Sequence, residues 1–212
     1  MNRIKTYSQK ILKGILVVSF LYFSWLMLKI TLEYVPFNKV VSFLMIKQTE
    51  VETRPEYIWI FYSHVYTSIF VLFSGFLAIT RFPYFGKRFH QIIGKIYVAL
   101  ILGIAAPSGI YMGIFANGNI FAKLSFIILG ILWSYSTYKA YRLARIKDFN
   151  QHKKWMWRSF AFTLSALTLR MWKVILVYFF HPNPLDVYQI IAWLGWVPNI
   201  LIIEYLIKTK HI

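Results

Sequence analysis

Apolar residues run in long stretches along most of this chain, and short clusters of basic and turn-forming residues separate them. Each stretch is near the ~20 residues that span bilayer hydrocarbon as a helix. The pattern predicts six helices over about 11–32, 57–79, 90–115, 122–143, 153–180 and 187–207, in one integral membrane domain covering 1–212. The fold class is therefore all-α, a polytopic membrane bundle with helices two to five as its core. Arg81, Pro83, Gly86, Lys87 and Arg88 mark one turn, Asn117, Gly118 and Asn119 another, and His181, Pro182, Asn183 and Pro184 a tight stop.

The fifth stretch departs from a simple membrane helix. It opens on His152, Lys153, Lys154, Trp155, Met156, Trp157 and Arg158, turns apolar, and still carries Arg170 and Lys173. His152 and Arg170 lie 170 − 152 = 18 residues apart, five turns of a continuous helix, so both fall on one face roughly 27 Å apart. Met156, Ser159, Thr163 and Ala166 lie between them on that face. Buried charge is costly in hydrocarbon and small polar side chains favour helix contacts, so this face points into the bundle.

Other helices carry similar stripes. On the second, His64, Ser68, Val71 and Gly75 share a face, after an aromatic belt of Tyr57, Trp59 and Tyr62. On the third, His90, Gly94, Tyr97, Ile101, Ala105 and Ser108 do so, Pro107 is expected to kink the helix, and Gly109 with Gly113 forms a close-packing pair. The connection 33–56 holds four of the seven acids, and its apolar middle, Val40 to Ile46, is too short to span and is expected along the membrane interface.

Composition sharpens this picture: 58% hydrophobic and 15% charged residues exclude an ordinary soluble domain. The net charge of +17 sits in clusters at helix ends instead of forming a continuous face, so anionic lipid headgroups are the expected counterpart and nucleic acid is not. With six spans, the basic clusters before helix one, after helix two, between helices four and five and at the chain end share one side, expected to be cytoplasmic with both termini there. The basic residues before the first apolar run resemble a secretory signal, but no small-residue cleavage site follows, so a retained first helix is expected.

Cysteine is absent, so any haem would be held non-covalently. His90 and His152 begin the third and fifth helices, which run the same way, so both rings are expected at similar depth. Such a pair suits a b-type haem, with the haem iron between the two imidazoles, Gly94 supplying space and Arg158 a cation for the propionates. The plainer reading makes both histidines interfacial helix-end residues. In the outer half, His64 and Arg170, with Lys173 one turn further out, offer a site for an anion, a quinone head or a haem propionate. The plainer reading there is that Lys173 snorkels to the surface and Arg170 bonds backbone carbonyls. Hydrolase, phosphate-loop and zinc-protease motifs are absent from the sequence, and no catalytic residue is assigned.

Over about 57–180, the chain resembles a family of bacterial multi-pass membrane proteins catalogued as a domain of unknown function. The resemblance is carried by His64 with Gly75, by Arg81, His90, Gly94 and Tyr97, and by His152, Trp155, Met156, Arg158 and Arg170. It implies a shared bundle and a bacterial cytoplasmic (inner) membrane. More loosely, the chain is similar to cytochrome b561-like six-helix proteins, in which histidines on alternate helices hold haems. His90 and His152 match one such pairing, while His64 has no histidine partner on helix four.

Three functions follow from these readings. The first is an electron-transfer protein, possible as a membrane oxidoreductase, with one b-type haem and a quinone or other redox partner. The second is a transporter or binder of a small anionic or lipid-like molecule, with a homodimer supplying the repeat that this sequence lacks. The third is a non-catalytic membrane subunit.

Overall fold

The computed structural model describes residues 2–80, 86–181 and 183–209. Every regular element among them is helical: α1 Asn2–Leu32, α2 Gln48–Thr53, α3 Pro55–Thr80, α4 Lys87–Leu100, α5 Ala106–Ile114, α6 Ile120–Arg145, α7 Phe149–Thr163, α8 Ser165–Phe180, α9 Pro184–Leu194 and α10 Val197–Lys208. A 3-10 turn, Ser42–Lys47, precedes α2, and a π turn, Ile101–Ala105, joins α4 to α5. The fold class is the all-α polytopic bundle expected. Arg81 and Pro83 of the basic turn, and Pro182 of the stop, lie outside the described residues.

Among the described residues, four helices are long and apolar enough to cross a membrane: Pro55–Thr80, Lys87–Ile114, Ile120–Arg145 and Asp186–Lys208. A fifth crossing requires α7 and α8 together, and Val17–Leu32 is a shorter apolar helix. Helices α3 to α7 pack around one core, in which Val71, Tyr97, Ile101, Trp133, Ala140 and Phe162 are buried. Exposed aliphatic and aromatic side chains such as Phe70, Ile131, Val174 and Leu201 cover the outside, as expected where the surrounding solvent is lipid.

Three of the expected helices are interrupted. The span at 90–115 contains the π turn, in which the Ala106 N–H reaches the carbonyl of Ile101. Pro107 follows immediately; its ring opposes regular α geometry one turn upstream and it has no N–H to give, so the helix locally widens.

The span expected at 153–180 is not one helix. It breaks at Leu164 and bends by 41°. No proline or glycine causes this. The Asn199 amide from α10 donates to the Ala161 carbonyl at 3.2 Å and to the Thr168 hydroxyl at 3.0 Å, so a neighbouring side chain enters the backbone ladder. His152 and Arg170 therefore sit on two segments instead of one straight face. The helix expected at 187–207 likewise divides at Gly195 and Trp196, with Pro198 in the first turn of α10.

The connection after α1 also differs from expectation. Val40 to Ile46 does not simply lie along the interface, because its 3-10 turn folds down on the bundle. Leu44 is fully buried among Tyr34, Val51, Tyr57 and Phe61, while Met45 and Ile46 remain exposed. Lys47 is buried at 1% exposure and donates to Glu50 at 2.8 Å and to the Phe115 carbonyl. That carbonyl lies at the end of α5, where the helix dipole favours a cation.

Candidate functional site

At the bundle centre, Tyr97 of α4 places its hydroxyl 2.9 Å from Ser159 and 2.8 Å from Thr163, both on α7. Thr137 meets Ser159 at 2.7 Å, and the Trp133 indole donates to Thr163 at 3.1 Å. Thr137 and Thr163 also donate to the carbonyls one turn before them. Thr163 thus accepts from Trp133, and Ser159 can donate to Thr137, so the cluster has a partner for each hydroxyl. A Cβ on Gly75 would stand 2.6 Å from the Tyr97 ring, so glycine there admits the tyrosine.

Above this cluster lies a cavity of about 230 Å³ with Trp133 and Thr163 among its lining residues. Apolar side chains including Phe126, Met112 and Leu169 supply much of its wall, and Phe43 from the loop also borders it. His64 and Arg170 both line it, as the sequence reading paired them. Arg170 sits within the span formed by α7 and α8, donates from Nη1 to the Ala166 carbonyl at 2.7 Å, and forms neither of the two ion pairs found among the described residues. The expected backbone contact therefore occupies one guanidinium N–H, and a guanidinium has five.

His64 is held at one ring nitrogen. Nδ1 lies 3.0 Å from the Ala105 carbonyl and 3.0 Å from the Ser108 hydroxyl, while Ser108 itself donates to the Ile104 carbonyl at 2.5 Å. A carbonyl can only accept, so the proton belongs on Nδ1, and the neutral ring carries its lone pair on Nε2. Gly109 permits this approach, since a Cβ there would lie 3.1 Å from His64 Cε1. Gly113, one turn on, packs closely against α6, where a Cβ would lie 3.0 Å from Phe126, as the small-residue pair leads one to expect.

Tyr57 is also in the cavity wall. It is fully buried, and its hydroxyl makes no hydrogen bond among the described residues. Nearby, burial holds the Tyr34 hydroxyl above its ordinary pKa, while the N–H donated by Phe43 and the Arg170 charge act the other way.

The remaining expected site residues lie elsewhere. Lys173 is exposed on α8 and does not line the cavity. Arg158 grips Glu204 of α10 through Nε at 2.5 Å and Nη2 at 2.9 Å, with its guanidinium over Trp155. His152 donates from Nδ1 to the Ala140 carbonyl at 2.8 Å, a partner that can only accept. His90 and Gly94 lie on α4, and the space where a Cβ on Gly94 would stand is open. Tyr97 and Ser159 touch, and each lies seven residues after its histidine, 97 − 90 and 159 − 152. His90 and His152 are thus each about two turns from the same contact.

Tyr57, expected in an aromatic belt, is instead part of the cavity wall. Gly130, Trp133, Thr137 and Ala140, which no expected stripe includes, are all buried on α6. Their spacing of three and four residues is a bundle stripe as clear as those used for the other helices.

A family model described as a predicted membrane protein (DUF2306) matches residues 61–207. The chain belongs to this family. The match begins inside α3, after the folded loop, and extends beyond the 57–180 likeness into α10. No curated protein and no solved structure matches the chain.

Proposed function

Starting from membership of a membrane-protein family that carries no assigned activity, we propose that this protein binds a small amphipathic molecule within the membrane, in the cavity shared by His64 and Arg170. One observation carries the reading: a guanidinium without a carboxylate partner among the described residues borders a largely apolar cavity inside the bundle. A cation in this setting costs about 2.5–3.5 kcal/mol on insertion scales, and functional sites are where such a cost is retained. At about 230 Å³ the cavity far exceeds the ~10–15 Å³ that admits one water and falls just below the ~300 Å³ where drug-sized pockets begin. It suits a compact head group, with an apolar tail following the bundle surface.

The test is ligand-dependent thermal stabilisation of the detergent-purified full chain against a panel of short amphiphiles. A bound head should raise the unfolding temperature of the parent in a concentration-dependent way. Folded Arg170→Gln should lose that response, and Arg170→Lys should retain part of it. An Arg170→Gln protein that responds like the parent would remove the basis for this site.

A second reading, a b-type haem between His90 and His152, draws support from the shared two-turn offset to Tyr97 and Ser159. The Nδ1 contact of His152 further leaves Nε2 as the lone-pair nitrogen, as in histidine ligands whose other nitrogen donates to a carbonyl. Arg158 is already engaged by Glu204, so propionate charge would fall to Arg88, Lys95 or Lys154. When bound, such a haem would supply one-electron chemistry. Air-oxidised and dithionite-reduced spectra of protein expressed with ample haem precursor test it, and a featureless pair from folded protein sinks it.

Basic clusters at the expected cytoplasmic turns, together with the likeness to bacterial proteins, support a bacterial cytoplasmic membrane with both termini inside.

A further inference from the structure

We infer that the head group bound in this cavity presents an O–H donor to His64 Nε2 together with an oxygen acceptor to Arg170, so that hydroxyl-bearing heads are selected over carbonyls, ethers and free carboxylates. The inference rests on the binding reading above and specifies its ligand. It follows from the direction of each hydrogen bond. Ala105 fixes the proton on His64 Nδ1, and Ser108 spends its own proton on Ile104, so neutral His64 has only an acceptor left. Arg170 is a donor only, with one N–H already given to Ala166. The cavity thus offers an acceptor and a set of donors, and a complementary head must carry the reverse pair.

A carbonyl oxygen or a carboxylate facing Nε2 would oppose one lone pair with another, leaving the buried nitrogen unsatisfied. A hydroxylated head carries both halves of the reverse pair: a proton to give His64 and lone pairs to accept from Arg170. Aromatic side chains in the wall, including Trp133, Phe126 and Phe162, favour a flat ring through stacking and edge contacts. The chemistry is therefore that of a hydroxylated ring, such as a hydroquinone, or of a lipid hydroxyl.

The experiment compares matched probes on the purified full chain by equilibrium binding under anaerobic conditions. The probes are trimethylhydroquinone, its quinone, its dimethyl ether, decanol and decanoate. The expected result is that trimethylhydroquinone binds at least about tenfold more tightly than its quinone and ether, a difference of about 1.4 kcal/mol. Decanol binding as well as the hydroquinone would also support the O–H requirement and point to an aliphatic source. Quinone, ether or decanoate binding as tightly as the hydroquinone would overturn the assignment while leaving the pocket in place. Failure of every probe to bind would overturn both.

His64→Gln provides the independent arm, because its amide N–H can donate to a carbonyl. The variant should bind the quinone more tightly relative to the hydroquinone, which a purely structural role for His64 would not produce. An unchanged preference in folded His64→Gln would also overturn the assignment.

Discussion

His64 on α3 is fastened through Nδ1 to the carbonyl of Ala105, 3.0 Å away at the end of the π turn before α5. Pro107 favours that local widening, Gly109 lets the ring approach, and the carbonyl then fixes the tautomer. A short stretch of sequence thus determines which nitrogen remains for chemistry. Long-range nitrogen–proton spectra of histidine-labelled protein should show His64 protonated at Nδ1 and bare at Nε2 at neutral pH. The opposite tautomer would invalidate both the hydrogen-bond direction and the ligand class drawn from it. Ser108→Ala should keep the Nδ1 tautomer, because the Ala105 carbonyl remains.

Gly75 and Gly94 make opposite predictions. A methyl group at Gly75 would press on Tyr97 at 2.6 Å and on Phe160 at 2.9 Å, whereas at Gly94 it meets nothing within 4 Å. Gly75→Ala should therefore destabilise by about 1–3 kcal/mol through overpacking. Gly94→Ala should leave unfolding unchanged or slightly improved, since alanine is the better helix former. Thermal or denaturant unfolding of the two purified variants provides the comparison, and equal losses would contradict the packing described around Gly75.

Tyr97→Phe removes one hydroxyl from the cluster while keeping the ring that fills the space at Gly75. Ser159 and Thr163 each lose that partner but retain bonds to Thr137 and Trp133. Interhelical hydrogen bonds of this kind average about 0.6 kcal/mol in membranes and reach about 1.7 kcal/mol. A loss within that range is expected for Tyr97→Phe. Thr163→Val should cost more, because it strips the acceptor used by both Trp133 and Tyr97. Reversible unfolding in mixed micelles can order the two variants, and the reverse order would count against Thr163 as the shared acceptor.

The periodic residues made the bundle legible, and they made part of the site legible too. His64, Ser159 and Thr163 occupy inward positions because a polar side chain at helical spacing has few favourable places in hydrocarbon. The pairing of His64 with Arg170 followed from depth along two helices, and the cavity contains both. What escaped the sequence depends on distant partners. Nothing near Leu164 announces a break, because the Asn199 side chain that enters the ladder lies on another helix. Arg158 could not be assigned to Glu204, 46 positions away, from local spacing. Tyr57 read as a belt residue because its type and helix-end position match one, and only its burial beneath the folded loop distinguishes it.

Lys47 shows what that loop contributes to the site. Its side chain is 1% exposed, and its ammonium is shared by Glu50 and the Phe115 carbonyl, pinning the 3-10 turn and α2 to the end of α5. Phe43, four residues earlier, borders the cavity from the same turn. Lys47→Met keeps most of the stem but removes the charge, leaving a buried carbonyl without that donor and Glu50 without its cation. Hydrogen bonds to charged groups contribute about 1.5–3 kcal/mol, and Glu50, still partly exposed, recovers some of its share by hydration. The turn should consequently open more often, with hydrogen exchange at residues 42–53 accelerating about tenfold or more. Exposed Lys39, substituted in the same way, should cause no such change. If Phe43 covers the cavity as its position indicates, a bound probe should also dissociate faster from Lys47→Met than from Lys39→Met. Unaltered exchange in a folded Lys47→Met protein would show that the ammonium does not hold the loop, and the aromatic and aliphatic packing around Leu44 would then account for its closure.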